Sequence, residues 1–164
     1  MIIRSMQEET TLALGRRIGA ALRDGDVILL RGEMGAGKSV FSRGVARGIG
    51  VEGPVPSPTF TLMNIHEGTS KKMYHFDLYR LDDADALYEM GFEEYIPSLD
   101  GATFIEWPEM AEEAMPEDAL TATLTYGDDG LTRRVELTPG GAFDEKRIDE
   151  IVKQMEASDE HPDD

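Results

Sequence analysis

Eight consecutive residues, Gly32-Glu33-Met34-Gly35-Ala36-Gly37-Lys38-Ser39, carry the pattern G-x-x-x-x-G-K-[ST]. Glycines at these places let the backbone wrap an anion, so that successive N–H groups aim at phosphate oxygens. Lys38 supplies a point charge for β- and γ-phosphates, and Ser39 offers a hydroxyl to Mg2+. A helix starting here adds the positive end of its dipole. The flanks agree with that chemistry. Val27-Ile28-Leu29-Leu30 is an all-apolar run of buried-strand length, and a helical pattern with Val40, Phe41, Gly44 and Val45 inward follows. The segment therefore reads as a P-loop for ATP or GTP, with Glu33, Met34, Gly35, Ala36, Gly37, Lys38 and Ser39 around the nucleotide.

A P-loop needs an acidic group for Mg2+ at the end of a neighbouring strand. Two residues qualify: Glu106 ends Thr103-Phe104-Ile105, and Asp77 ends Met73-Tyr74-His75-Phe76. Both reach the phosphate side only if their strands run parallel to the P-loop strand. Thr59, in Ser57-Pro58-Thr59-Phe60, stands where a threonine can touch Mg2+ or the γ-phosphate, although it also suits the start of a strand. Trp107, the single tryptophan, reads by itself as packing. His66, His75 and His161 fall in a loop, a strand and a tail, and their spacing forms no catalytic or metal set.

The elements that must position these groups follow from periodicity. Ile2-Ile3 suits a short edge strand. Ser5-x-x-Glu8 is a capping box before helix-spaced Leu14, Ile18, Ala21 and Leu22. Gly48 and Gly50 stop the P-loop helix. Strands are expected at Thr59–Ile65, Met73–Asp77 and Ala102–Glu106, with an acidic helix near Ala84–Met90 and another opened by Pro108. Thr121–Tyr126 and Leu131–Leu137 flank Gly127-Asp128-Asp129-Gly130 as a β-hairpin, and Phe143–Met155 is an amphipathic helix. The expectation is an α/β, P-loop NTPase-like domain of three layers over 1–157, with a mixed, mostly parallel sheet, flanking helices and a C-terminal hairpin. A polar tail, 158–164, follows.

Bulk composition narrows the partners. Thirty-three acidic against 16 basic residues give a net charge of −17, which repels bare nucleic acid, since non-specific affinity comes from Lys and Arg. There is no cysteine, hence no disulfide or thiolate site. No signal peptide opens the chain and no stretch nears the roughly 20 apolar residues of a membrane span, so a cytoplasmic protein is expected.

Guanine recognition fails, because the only asparagine, Asn64, is followed by Ile65. A small-molecule kinase competes, with Asp77-x-x-Arg80 as a hold for a phosphoryl acceptor. Kinases of that kind close a basic lid, yet Leu81 through Thr132 contain no Lys or Arg.

Five segments, Gly32–Ser39, Ser57–Leu62, His75-Phe76-Asp77-Leu78-Tyr79-Arg80-Leu81, Met90-Gly91-Phe92 and Ile105-Glu106-Trp107-Pro108, stand in the order found in TsaE, and the chain resembles that family over about Gln7 to Tyr126. Ser39 stands where threonine is usual, and Glu33-Met34 replace the common Asp-Leu; the metal-binding hydroxyl is kept. The resemblance implies a slow, Mg2+-dependent ATPase (binding ATP or ADP) that acts with TsaB and TsaD in forming threonylcarbamoyladenosine beside the tRNA anticodon, meeting tRNA only through that complex. It implies Ser39 and Glu106 as Mg2+ ligands, Asp77 as an essential acid, Lys38 at the phosphates, and Thr59 and Trp107 as switch-type elements near the nucleotide. It also sets Gln7–Thr11 and Gly130–Arg133 beside the adenine. Low activity in isolation follows if no arginine of this chain reaches the γ-phosphate.

Overall fold

The computed structural model describes residues 2–5, 7–33, 35–56, 58 and 62–160. The elements run β1 (Ile2–Ser5), α1 (Glu8–Ala21), β2 (Val27–Gly32), α2 (Lys38–Ile49), β3 (Met63–Glu67), β4 (Lys72–Asp77), α3 (Ala84–Glu89), β5 (Gly101–Glu106), β6 (Leu120–Tyr126), β7 (Arg133–Thr138) and α4 (Glu145–Glu160). One seven-stranded sheet, in the order β1-β7-β6-β2-β5-β4-β3, organises the molecule. Its centre, β6-β2-β5-β4, is parallel, and β3, β7 and β1 extend it by antiparallel pairing. The fold is the α/β three-layer arrangement with a C-terminal hairpin.

Alternation along β2 shows why three layers form. Ile28 and Leu30 face one core with Phe104, Leu14, Ile18, Phe41, Val45 and Ile148, which is covered by α1, α2 and α4. Val27 and Leu29 face the other with Phe76, Ile105, Leu87 and Phe92. Both faces of a central parallel strand are buried, which is what a continuous apolar run requires. No helix among the described residues is long and apolar enough to cross a membrane.

Several local expectations are corrected. The cap position of α1 is Gln7, without a side-chain cap bond, and not Ser5, which lies in β1 opposite Arg133 of β7. Edge pairing commits Ser5 to the strand, so the helix starts later. Gly48 lies inside α2, which ends at Gly50 in the left-handed region (φ 95°). Its role is contact, because a Cβ on Gly48 would sit 2.2 Å from Arg16 O. The segment after Pro108 is not one α-helix but two 3-10 turns joined at non-helical Ala111 (φ −150°, ψ 51°). The strand expected from Thr59 begins at Met63, with 59–61 outside the described residues. Finally, α4 continues to Glu160, into the stretch read as a tail.

Candidate functional site

The site is built at the carboxyl ends of the parallel strands. β2 ends in Gly32, where φ is 152° and a Cβ would stand 2.5 Å from Leu124 O, so only glycine lets the chain leave the sheet here. Gly35 and Gly37 follow at φ 78° and 97°. α2 starts at Lys38, with Phe41 N–H donating to Gly37 O at 3.0 Å. From the hairpin, Tyr126 Oη donates to Gly35 O at 2.6 Å and steadies the cradle. Ala36 is buried beneath it, whereas Glu33 and Ser39 are exposed.

Parallel register lines up the acids. Leu30 of β2 is opposite Glu106 of β5, which is opposite Asp77 of β4. Both carboxylates are more than nine-tenths buried, and both line one cleft of about 530 Å³ with Lys38, Ser39, Arg80 and Trp107. Leu78 N–H donates to Glu106 O, and Tyr79 N–H donates to Asp77 Oδ1, each at 3.0 Å. These bonds tie the loop after β4 to the end of β5.

Lys38 Nζ is buried, lies 3.5 Å from the centroid of Trp107 and has no hydrogen-bond partner among the described residues. Burial pushes its ammonium below the usual lysine range; Glu106, Glu109 and Asp77 oppose that shift. A buried ammonium without acceptors is costly, and a polyphosphate in the cradle would supply them. The hydroxyl of Ser39 and the carboxylate of Glu106 line the same cleft, and oxygen donors of this kind suit Mg2+ when its other ligands are phosphate and water. The residues present fit both groups.

Trp107 has φ 57° and ψ 48°, a left-handed backbone that is strained for a bulky residue, and its ring contacts Tyr79 at 4.9 Å. Arg31, just before Gly32, pairs with Glu112 and, at 3.8 Å, with Glu109. The segment after Trp107 is thereby fastened to the P-loop strand. A second hollow of about 340 Å³ shares Gly35, Gly37 and Val40 with the cleft and is lined by Gln7, Thr11, Leu131 and Arg133. The Arg133 guanidinium lies 4.2 Å over the Tyr126 ring.

The structure thus brings Gly35, Gly37, Lys38, Ser39, Asp77, Glu106 and Trp107 to one cleft. Met34 and Thr59 fall outside the described residues. Arg80, read from the sequence as a hold for a phosphoryl acceptor, lines the same cleft. Two further participants, Tyr126 and His75, are not among the sequence candidates. Tyr126 grips the cradle. His75 Nε2 lies 2.8 Å from Glu106 Oε2. Two-residue periodicity from Asp77 to His75 was the available signal for the last.

The TsaE family, described as threonylcarbamoyl adenosine biosynthesis protein TsaE, matches residues 5–135. A tRNA threonylcarbamoyladenosine biosynthesis protein TsaE from Nostoc sp. is 40% identical over 135 residues, 80% of this chain and 82% of that protein. The protein of the same name from Bacillus subtilis is 32% identical over 151 residues, 92% of each. The crystal structure of Bacillus subtilis YdiB aligns with a TM-score of 0.77 at 27% identity, covering 97% of this chain and 95% of that one.

Proposed function

The chain belongs to the TsaE family of threonylcarbamoyl adenosine biosynthesis proteins, and from that premise we propose that it is a Mg2+-dependent P-loop ATPase serving TsaB and TsaD in tRNA threonylcarbamoyladenosine formation. The observation that carries the nucleotide part is Lys38: a buried, unpartnered ammonium at the start of α2, beside a glycine cradle and two in-register carboxylates.

In this reading the amides of the cradle and Lys38 hold the β- and γ-phosphates. Ser39 and Glu106 would hold Mg2+, which would supply positive charge against the phosphates. Asp77, at the adjacent strand end, orients the attacking water. Arg80 brings a second cation to the cleft. Gln7, Thr11, Leu131 and Arg133 accommodate the nucleoside in the neighbouring hollow.

ATP serves here as a conformational signal. Lys38 must leave the Trp107 face to reach a phosphate, and Trp107 contacts Tyr79 on one side and leads on the other into the segment held by Arg31. Displacement of the indole is thus passed to two surface loops, which TsaB and TsaD read. Thr59 is a further switch element on this reading. With a charge of −17, the chain meets tRNA through the complex, not directly.

Phosphate release by the purified chain, alone and with TsaB–TsaD, tests the proposal. Lys38→Ala should lose ATP uptake by calorimetry together with phosphate release; full tRNA modification by that variant refutes the ATP switch. Arg80 in the cleft also suits a small-molecule kinase, which would transfer phosphate to an added acceptor and need no partner.

A further inference from the structure

His75 occupies a position that alternation along β4 assigns to the apolar core. It is 1% exposed, on the sheet face of Met73, and meets Phe104 edge-on with ring centroids 5.4 Å apart. Burying an imidazole there costs free energy unless hydrogen bonding compensates, and a leucine or phenylalanine satisfies packing without that cost. The ring Nδ1 is buried and has no hydrogen-bond partner among the described residues, while Nε2 lies 2.8 Å from Glu106 Oε2. An ionised carboxylate only accepts, so with Glu106 ionised as a metal ligand Nε2 is the donor of this bond. Among the described residues, Glu106 alone selects that arrangement.

Glu106 is itself buried at 6% exposure, yet lines the phosphate cleft. Its backbone is fixed by β5 pairing on both sides and by Leu78 N–H on its carbonyl. What remains free is rotation of the carboxylate, and His75 meets it from the core side. We propose that His75 is a positioning residue for the Mg2+ site: by pinning Glu106 Oε2 through Nε2–H, it presents the other carboxylate oxygen to the metal held with Ser39. Partners that orient a metal ligand in this way typically govern about 10- to 100-fold of metal affinity. The inference rests on the nucleotide reading of the cleft.

The test compares the full chain with His75→Gln, His75→Asn and His75→Phe, measuring ATP affinity by calorimetry with and without Mg2+ and folding by thermal unfolding. A glutamine amide reaches the place of Nε2; an asparagine amide, equally polar, reaches only that of Nδ1. The expected result is metal-free ATP affinity unchanged within about twofold in all variants. The affinity gained on adding Mg2+ should survive in His75→Gln and fall about tenfold or more in His75→Asn and His75→Phe. If His75→Phe does not fold, the glutamine–asparagine pair decides. Equal Mg2+ gains in those two overturn the proposal and leave nucleotide binding intact. A wild-type chain that takes up no ATP overturns the nucleotide reading itself, and this inference with it.

Discussion

Lys38 Nζ stands 3.5 Å from the centroid of the Trp107 ring, in the cleft that Asp77 and Glu106 border. A cation–π contact with a desolvated ammonium stabilises by about 2 kcal/mol, less than several charge-assisted hydrogen bonds to phosphate oxygens offer together. A bound triphosphate should therefore draw the ammonium off the ring. Because Trp107 is the only tryptophan, its emission reports the event directly. Saturating ATP should change the fluorescence of the wild-type chain and leave that of Lys38→Ala as it was. Unaltered emission in a sample shown by calorimetry to hold ATP would mean that Lys38 stays on the ring and that the indole is no switch.

The parts of this site that depend on local sequence were legible in it. The cradle, Lys38 and Ser39 declare themselves because their chemistry needs fixed types at fixed spacing. Asp77 and Glu106 declare themselves as acids ending apolar strands. His75 does not, because its partner lies 31 residues away and meets it only through the β4–β5 register. Ser5 misled for the same reason, since its strand partner, Arg133, sits near the other end of the chain. Gly48 reads as a helix stop by type, and only the approach of α1 explains a glycine inside α2. Arg80 was noticed for a phosphoryl acceptor, but which wall of the cleft it joins is set by a turn whose closure no short pattern announces.

That helix approach carries its own prediction. α1 and α2 meet through Gly15, Gly19, Gly44 and Gly48, and a Cβ on Gly19 would lie 2.1 Å from Val45 O. Backbone cannot yield as a side-chain tip does, so Gly19→Ala must part the helices. Overpacking of this kind costs about 1–3 kcal/mol or more, whereas Ala13→Ser on the exposed face of α1 should be nearly neutral. Denaturant unfolding measures both; equal midpoints would show that the helices tolerate separation.

Asp129 shapes the hairpin tip that carries Leu131 and Arg133 to the second hollow. Its carboxylate accepts from the Thr132 hydroxyl and from the Thr132 and Leu131 N–H groups at 2.7 and 2.9 Å. Those bonds, the Thr132 hydroxyl first, lower its pKa from 3.8 to about 2. A depressed carboxyl contributes stability that is present above pH 3.8 and is lost as pH falls through about 2. Carboxyl resonances should place the Asp129 midpoint near 2 in the folded chain, and Asp129→Ala should weaken ATP binding while core stability changes little. A midpoint at 3.8 would show that the turn is open in solution.

Arg80 owes its place to its neighbours. Leu78 and Leu81 are buried, Leu81 N–H donates to Leu78 O at 3.0 Å, and Tyr79 and Arg80 project between them. With Tyr79 against Trp107, the turn is braced at the cleft rim and Arg80 needs no lid to reach it. On the proposed ATPase reading, an arginine so held acts on charge that develops during phosphoryl transfer more than on the ground state. Arg80→Ala should then leave ATP affinity within about threefold and lower phosphate release about tenfold or more, with Arg80→Lys recovering part. Parallel losses of affinity and rate would instead assign Arg80 to ground-state binding. An unchanged rate with TsaB–TsaD present would mean that the decisive cation comes from a partner.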